Sequence, residues 1–150
     1  VTDKGINDAA NMGAAMAPAA VDTLSRYFDE SRLAPDEFSA IFTGDLGYEG
    51  SGILVDFLRA RGIDIGKVHQ DCGLMIYDRE RQDVHAGGSG CGCSACVLQG
   101  YILDELRQGR LRDILFVATG AMMNQASLQQ GLTIPGIAHL VRISASEVTK

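Results

Sequence analysis

The stretch that most constrains the fold is residues 113–123, which are DILFVATGAMM. Its apolar residues follow one another without the alternation that a strand with one face in water shows. The run therefore predicts a β-strand that is buried on both faces. Such a strand needs covering elements on both sides of its sheet, so we expect a layered α/β architecture.

Two further strands are predicted, at residues 40–45 and 137–144. The first is a short apolar run that ends at Gly-Asp, and the second alternates along the sequence IAHLVRIS. Residues 40–45 and 113–123 share a Thr-Gly pair near their ends, which is too short to indicate a repeat. Residues 69–78 contain an apolar segment without a decisive period, so we predict no element there.

Three helices are predicted by apolar residues at helical spacing, over residues 11–32, 50–62 and 93–109. Asn11 is suited to be the N-cap of the first helix. Pro18 would kink that helix unless it lies near the first turn. The glycine and alanine residues before Pro18 predict that another element packs very close to it.

The second and third helices each have a predicted apolar face and a glycine stop. The face of the second helix comprises Ile53, Leu54, Phe57 and Leu58, and Gly62 ends it. The stripe of the third helix comprises Leu98, Ile102 and Leu106, and Gly109 ends it. Because no strand precedes the first helix, we expect the first strand of the sheet to be missing and residues 1–150 to be one domain of a longer protein.

Composition excludes several classes of protein. The 150 residues are 46% hydrophobic and 21% charged, with a net charge of −6. A general nucleic-acid binder needs basic surface, so we expect no nucleic-acid partner. No apolar run reaches the roughly 20 residues of a membrane-spanning helix, and the chain begins at Val1 without a signal-peptide pattern. The four cysteines do not resemble a disulfide framework, which favours a reducing compartment.

Three cysteines, Cys91, Cys93 and Cys96, lie within six residues. With His85 or Cys72 they could supply zinc ligands, but structural zinc favours two separated pairs. A redox role would use Cys93 and Cys96, yet the sequence lacks the surroundings of a thioredoxin-type site. We expect no metal and no cofactor.

The glycines around these cysteines are the stronger signal. Residues 86–95, AGGSGCGCSA, supply many backbone amides just before a helix. Such a loop can hold a carboxylate or phosphate at a helix N-terminus, or it can let another element pack closely. The loop matches neither a phosphate-binding nor a dinucleotide-binding fingerprint, so both interpretations stay open.

Six ordered motifs carry a family resemblance over most of the chain. They are NMGAAMAPAAVDT, GDLG, QDCGLMIYD, AGGSGCGCSA, VATGA and IPGIAH. Together they resemble the C-terminal half of the stage V sporulation protein AD family of endospore-forming bacteria, within the thiolase-like superfamily. The resemblance implies a thiolase-like half, a layered mixed sheet with helices on both faces, which packs against an N-terminal half.

The resemblance also implies a function. It implies a noncatalytic subunit that binds dipicolinic acid, alone or with calcium, in the spore membrane complex that moves dipicolinate during sporulation and germination. The expected partners are the N-terminal half, membrane subunits of that complex and further copies of the protein. The expected location is peripheral on the spore inner membrane, without a transmembrane segment of its own.

Catalysis is not expected. Condensing enzymes of the thiolase superfamily carry a histidine in the loop before this helix, whereas residues 87–90 are Gly-Gly-Ser-Gly. The alternative is half of an acyl-transferring enzyme that uses cysteine chemistry. The predicted ligand-binding residues, which would surround the two carboxylates, are His69, Asp71, Cys72, Gly88, Ser89, Gly90, Cys91 and Cys93.

Overall fold

The computed structural model describes residues 1–87, Gly90 and residues 92–145. Within them lies one four-stranded sheet in the order β2-β1-β3-β4. β1 pairs in parallel with both β2 and β3, and β4 pairs antiparallel with β3. The strands are β1 (Ala40–Thr43), β2 (His69–Asp71), β3 (Asp113–Ala121) and β4 (Gly136–Ser144).

The helices lie before and between these strands. The two long ones are α1 (Met12–Ser31) and α2 (Gly47–Ala60). The shorter elements are a 3₁₀ turn at Pro35–Glu37, α3 (Cys72–Met75), α4 (Cys93–Val97), a π-helical segment (Leu98–Ile102), α5 (Leu103–Arg107) and α6 (Gln125–Gln129). None of the helices described has the length and apolarity to cross a bilayer.

Helices cover both faces of the sheet, as predicted. Side chains that alternate along β1 and β3 divide between two cores. Ile41, Leu115 and Val117 pack with residues of α1 and α2 in one core. Phe42 and Ile114 pack with residues 93–106 in the other. The structure is therefore α/β with a mixed sheet, consistent with a thiolase-like half.

The strand predictions are largely confirmed. All four residues of β1 are buried, and β3 begins at Asp113 as expected. β3 ends at Ala121, however, and leaves Met122 and Met123 exposed. β2 was not predicted, because three residues are too few to establish a period. The only β-structure in residues 1–11 is an isolated antiparallel bridge, between Thr2 and Gly136 at the start of β4.

Glycines bring α1 and α2 into close contact. A Cβ atom on Gly50 would lie 2.8 Å from Cα of Gly13, so the two backbones nearly touch. This confirms the close packing predicted before Pro18, and α2 is the element that provides it. On α2, Leu54 and Leu58 are buried, but Phe57 is 58% exposed, so its assignment to the core face was wrong. Phe57 faces a cleft beside α1 rather than the sheet.

The third predicted helix contains a π-helical turn. Its buried residues are Cys93, Val97, Ile102 and Leu106, which are separated by four, five and four positions. An unbroken α-helix would turn residue 101 toward the sheet instead, yet Tyr101 is 42% exposed. The wider turn at Leu98–Ile102 adds one residue and returns Ile102 to the buried face.

The close approach of α1 and α2 gives the first prediction. Gly50→Ala should lower the free energy of unfolding by about 1–3 kcal/mol, because the new methyl group collides with the backbone of α1. Gly52→Ala is the matched control, since a Cβ atom there meets nothing within 4 Å. That control should be neutral or stabilising by up to about 1 kcal/mol. Urea denaturation measures both, and equal stabilities of the two variants would contradict the close contact.

Candidate functional site

The candidate site lies where the carboxyl ends of β1, β2 and β3 meet. Because these three strands are parallel, their ends reach the same edge of the sheet. We call this the carboxyl edge and define it by Thr43, Asp45, Asp71 and Thr119. In open α/β sheets this is the edge at which ligands usually bind.

Asp71 is the centre of the hydrogen bonds at the carboxyl edge. Its Oδ2 accepts from the Thr43 hydroxyl at 2.6 Å and from the Leu46 amide at 2.9 Å. Its Oδ1 accepts from the amides of Gly47 at 3.0 Å and Gly73 at 3.1 Å. The side chain thus joins the end of β1, the start of α2 and the start of α3.

These contacts hold a carboxylate in a buried place. Asp71 is 2% exposed, and burial raises the pKa of its carboxyl, while the hydrogen bonds from Thr43 and the three amides act in the opposite direction. Since both oxygens already have two donors each, the side chain has a structural role. Its predicted contact with a ligand remains a prediction.

His69 is linked to Asp71 through Thr43. His69 Nε2 lies 2.9 Å from the Thr43 hydroxyl oxygen, and that hydroxyl donates its single hydrogen to Asp71. We therefore assign the proton of His69 to Nε2, which leaves Nδ1 as an acceptor. Burial lowers the pKa of His69 to about 4, so the ring is neutral at pH 7.

A second carboxylate, Asp45, binds the glycine-rich loop. Asp45 Oδ1 accepts from the Thr119 hydroxyl at 2.9 Å, and Oδ2 accepts from the Gly90 amide at 3.2 Å. The Asp45 amide in turn donates to the Thr119 oxygen at 3.2 Å. Neither Asp45 nor Thr119 was predicted from the sequence to be a site residue. The signal that could have found them is the Thr-Gly pair near the ends of both strands, because each threonine hydroxyl bonds a carboxylate at this edge.

Close backbone contacts fix the approach to the loop. Gly47 has a φ of +67°, and a Cβ atom there would lie 2.7 Å from the Ala86 carbonyl oxygen. The Tyr48 amide donates to that same oxygen at 2.7 Å. The start of α2 is therefore joined to the segment that leads into the glycine-rich loop.

Cys72 and Cys93 are not poised as nucleophiles. Cys72 is fully buried, and burial together with the nearby Asp71, Cys93 and Asp45 raises its pKa to about 12. Burial, Asp45 and Asp71 raise the pKa of Cys93 to about 11, and its Sγ lies 3.8 Å from the Gly44 carbonyl oxygen. Cys96 is exposed. Both buried thiols are protonated at neutral pH.

The structure brings several predicted site residues to one region. His69 and Asp71 share the Thr43 hydroxyl, Cys72 and Cys93 belong to one buried core, and Gly90 bonds Asp45. The predicted residues Gly88, Ser89 and Cys91 lie outside the described residues. Within residues 1–87, 90 and 92–145, no three His, Cys, Asp or Glu side chains are grouped to hold a metal ion.

The contacts of Asp71 predict a large loss of stability when its carboxylate is removed. Asp71→Ala leaves buried donors from β1, α2 and α3 without acceptors, so the free energy of unfolding should fall by at least about 3 kcal/mol. Asp104→Ala removes an exposed carboxylate that pairs with Arg107 at 2.7 Å, and it should cost less than about 1 kcal/mol. Urea denaturation distinguishes them, and a similar small loss for both would contradict the structural role.

The environment of His69 predicts a pH dependence. The folded ring protonates only near pH 4, whereas the unfolded ring protonates near pH 6.5, so the unfolded state gains protons first as the pH falls. Between pH 7 and pH 4 the wild type should lose about 3 kcal/mol more than His69→Gln. His85→Gln alters a side chain that is 90% exposed and should keep the wild-type slope. Parallel slopes for the wild type and His69→Gln would contradict a neutral, partly buried ring.

Comparisons with known proteins connect this geometry to a family. Residues 1–144 match the family model described as Stage V sporulation protein AD. Stage V sporulation protein AD of Bacillus subtilis (strain 168) is 48% identical over 139 residues, which are 93% of this chain. The same match covers 41% of that relative, so the chain spans about two-fifths of its length. The chain therefore belongs to the stage V sporulation protein AD family.

Proposed function

We propose that the chain is part of a noncatalytic subunit that binds dipicolinate in the spore membrane complex that moves it, with calcium, during sporulation and germination. Family membership supports the sporulation role. The dipicolinate ligand follows from the resemblance of the six motifs. The observation that carries the noncatalytic part is the state of the two buried thiols.

A thiol acts as a nucleophile only as the thiolate, which nearby positive charge favours. Here the neighbours of Cys72 and Cys93 are the carboxylates of Asp45 and Asp71, and the pKa values are raised to about 12 and about 11. His69 cannot act as base through Nε2, because that atom bonds Thr43. Among the described residues, the carboxylates at the carboxyl edge therefore disfavour the thiolate that cysteine catalysis needs.

The proposed ligand site is the glycine-rich loop where it meets Asp45. The loop leads into α4 at Cys93, and amides at a helix start favour the carboxylates of dipicolinate. Asp45, which accepts from the Gly90 amide, would repel a dianion. Calcium resolves this conflict, because it takes six to eight oxygen ligands. Dipicolinate and the Asp45 carboxylate can each supply some of them, so we propose that the ligand binds as its calcium complex.

The proposed partners are the ones that this function requires. The subunit would lie peripherally on the spore inner membrane, bound to membrane subunits of the complex, to its N-terminal half and to further copies. Exposed apolar side chains that follow the ends of parallel strands support a partner surface near this edge. They are Met75, Ile76, Tyr77, Met122 and Met123.

The role of calcium gives a prediction for the full-length protein. In isothermal titration calorimetry, calcium dipicolinate should bind about tenfold or more tightly than sodium dipicolinate, since calcium removes the repulsion from Asp45. Asp45→Asn should abolish most of that preference. Asp56→Asn is the control, because Asp56 is an exposed carboxylate that pairs with Arg59 on α2.

Three results would contradict parts of the proposal. An absence of heat with both salts would mean that dipicolinate is not the ligand, and burst release of free CoA from acetyl-CoA would establish the acyl-transfer alternative. An equal effect of Asp45→Asn and Asp56→Asn would contradict a calcium ligand at the carboxyl edge, because it would reflect net charge alone.

A further inference from the structure

A cleft of about 430 Å³ lies between α1, α2 and the N-terminal segment. We call it the outer cleft. Its walls include Pro18 and Val21 of α1 and Ile53 and Phe57 of α2. It belongs to the α1 and α2 layer, whereas the helical residues that follow the glycine-rich loop pack on the opposite face of the sheet. None of the four residues that define the carboxyl edge lines the outer cleft, so the two sites are separate.

Two cations, Lys4 and Arg61, also line the outer cleft. The backbone on either side of Lys4 is fixed, because Thr2 bridges Gly136 and the Ile6 carbonyl accepts from the Ile134 amide at 2.7 Å. Lys4 thus lies in an anchored segment of the chain.

Arg61 is also held in place, by a hydrogen bond to α1. It follows the last residue of α2, and its Nη1 donates to the Ser25 hydroxyl of α1 at 2.9 Å. This bond uses one of the five N–H donors of the guanidinium, so the others can bind a ligand.

In the described part of the chain, neither cation lies within ion-pair distance of a carboxylate. None of the ion pairs formed by residues 1–87, 90 and 92–145 includes Lys4 or Arg61, and no acidic residue lines the outer cleft. The nearby Arg59 shows the contrast, because it pairs with Asp56 and Asp64. In a chain with a net charge of −6, this is a local positive site.

The walls determine what kind of anion fits. Phe57 is 58% exposed at the cleft, and the other named wall residues are also apolar. A site for a small molecule is typically an apolar cavity of about 300–1,000 Å³ with a few polar groups that orient the ligand. An inorganic anion would leave the apolar walls without a partner, whereas a neutral apolar molecule would leave the cations without one.

We propose that the outer cleft binds a small organic carboxylate with an apolar body. The carboxylate lies between Lys4 and Arg61, and the body packs against Pro18, Val21, Ile53 and Phe57. The proposal does not depend on dipicolinate binding at the carboxyl edge. An aliphatic and an aromatic acid satisfy the same chemistry, so both serve as probes.

The test is calorimetry on the full-length protein with octanoate and benzoate, and with octanamide as the neutral isostere of octanoate. At least one acid should bind, and octanoate should bind about tenfold or more tightly than octanamide if the body is aliphatic. Arg61→Met and Lys4→Met should each weaken the better acid by about tenfold. Arg59→Met is the matched control and should stay within about twofold, because its charge already has partners.

Two further variants separate this site from the carboxyl edge. Phe57→Ser should weaken the better acid without lowering the melting temperature, since Phe57 is mostly exposed. Asp45→Asn should leave binding of that acid unchanged, whatever it does to dipicolinate. If neither acid binds, or if Arg59→Met weakens binding as much as Arg61→Met, the proposal is wrong, and neither result bears on the dipicolinate site.

Discussion

The buried carboxylate of Asp71 is the interaction on which the carboxyl edge depends. A charge that is 2% exposed is costly unless hydrogen bonds replace its water. The chain supplies four donors, from the Thr43 side chain and three backbone amides. The geometry of β1, α2 and α3 is thus fixed by one side chain on a short strand. His69 completes the arrangement, because the Thr43 oxygen accepts a hydrogen bond from His69 Nε2 while the Thr43 hydroxyl donates to Asp71.

The same charges decide the chemistry of the neighbouring cysteines. Condensing enzymes place a nucleophile where positive charge or a base can stabilise a thiolate. Cys72 and Cys93 instead face two carboxylates that the backbone of this edge holds in place. Negative charge that raises the pKa of a thiol also attracts a divalent cation. The proposed noncatalytic role and the proposed use of calcium are therefore consistent with one electrostatic arrangement.

Much of the fold follows from the sequence, because β1 and β3 are continuous apolar runs and the long helices have apolar residues at helical spacing. The close packing at Gly13 was predictable, because a run of small residues indicates crowding. Its partner Gly50 was not, because small residues do not identify the element that packs against them. β2 escaped prediction because its residues, His69–Asp71, owe their strand conformation to pairing with β1. Asp45 and Thr119 escaped because 74 residues separate them, and only the parallel sheet brings them together. Phe57 was misassigned because a helical period cannot distinguish the sheet from a cleft beside another helix.

The π-helical turn at Leu98–Ile102 has a consequence for how the chain tolerates changes in length. It takes up one residue more than an α-helix would, so residues before and after it keep the same side toward the sheet. Deleting one residue within the turn would leave Val97 and Ile102 four positions apart, the spacing at which an ordinary α-helix turns both toward the sheet. Both side chains would then stay in the core. This segment should consequently tolerate the loss of one residue, whereas a change from the π turn to an α turn without that loss would turn Tyr101 inward in place of Ile102.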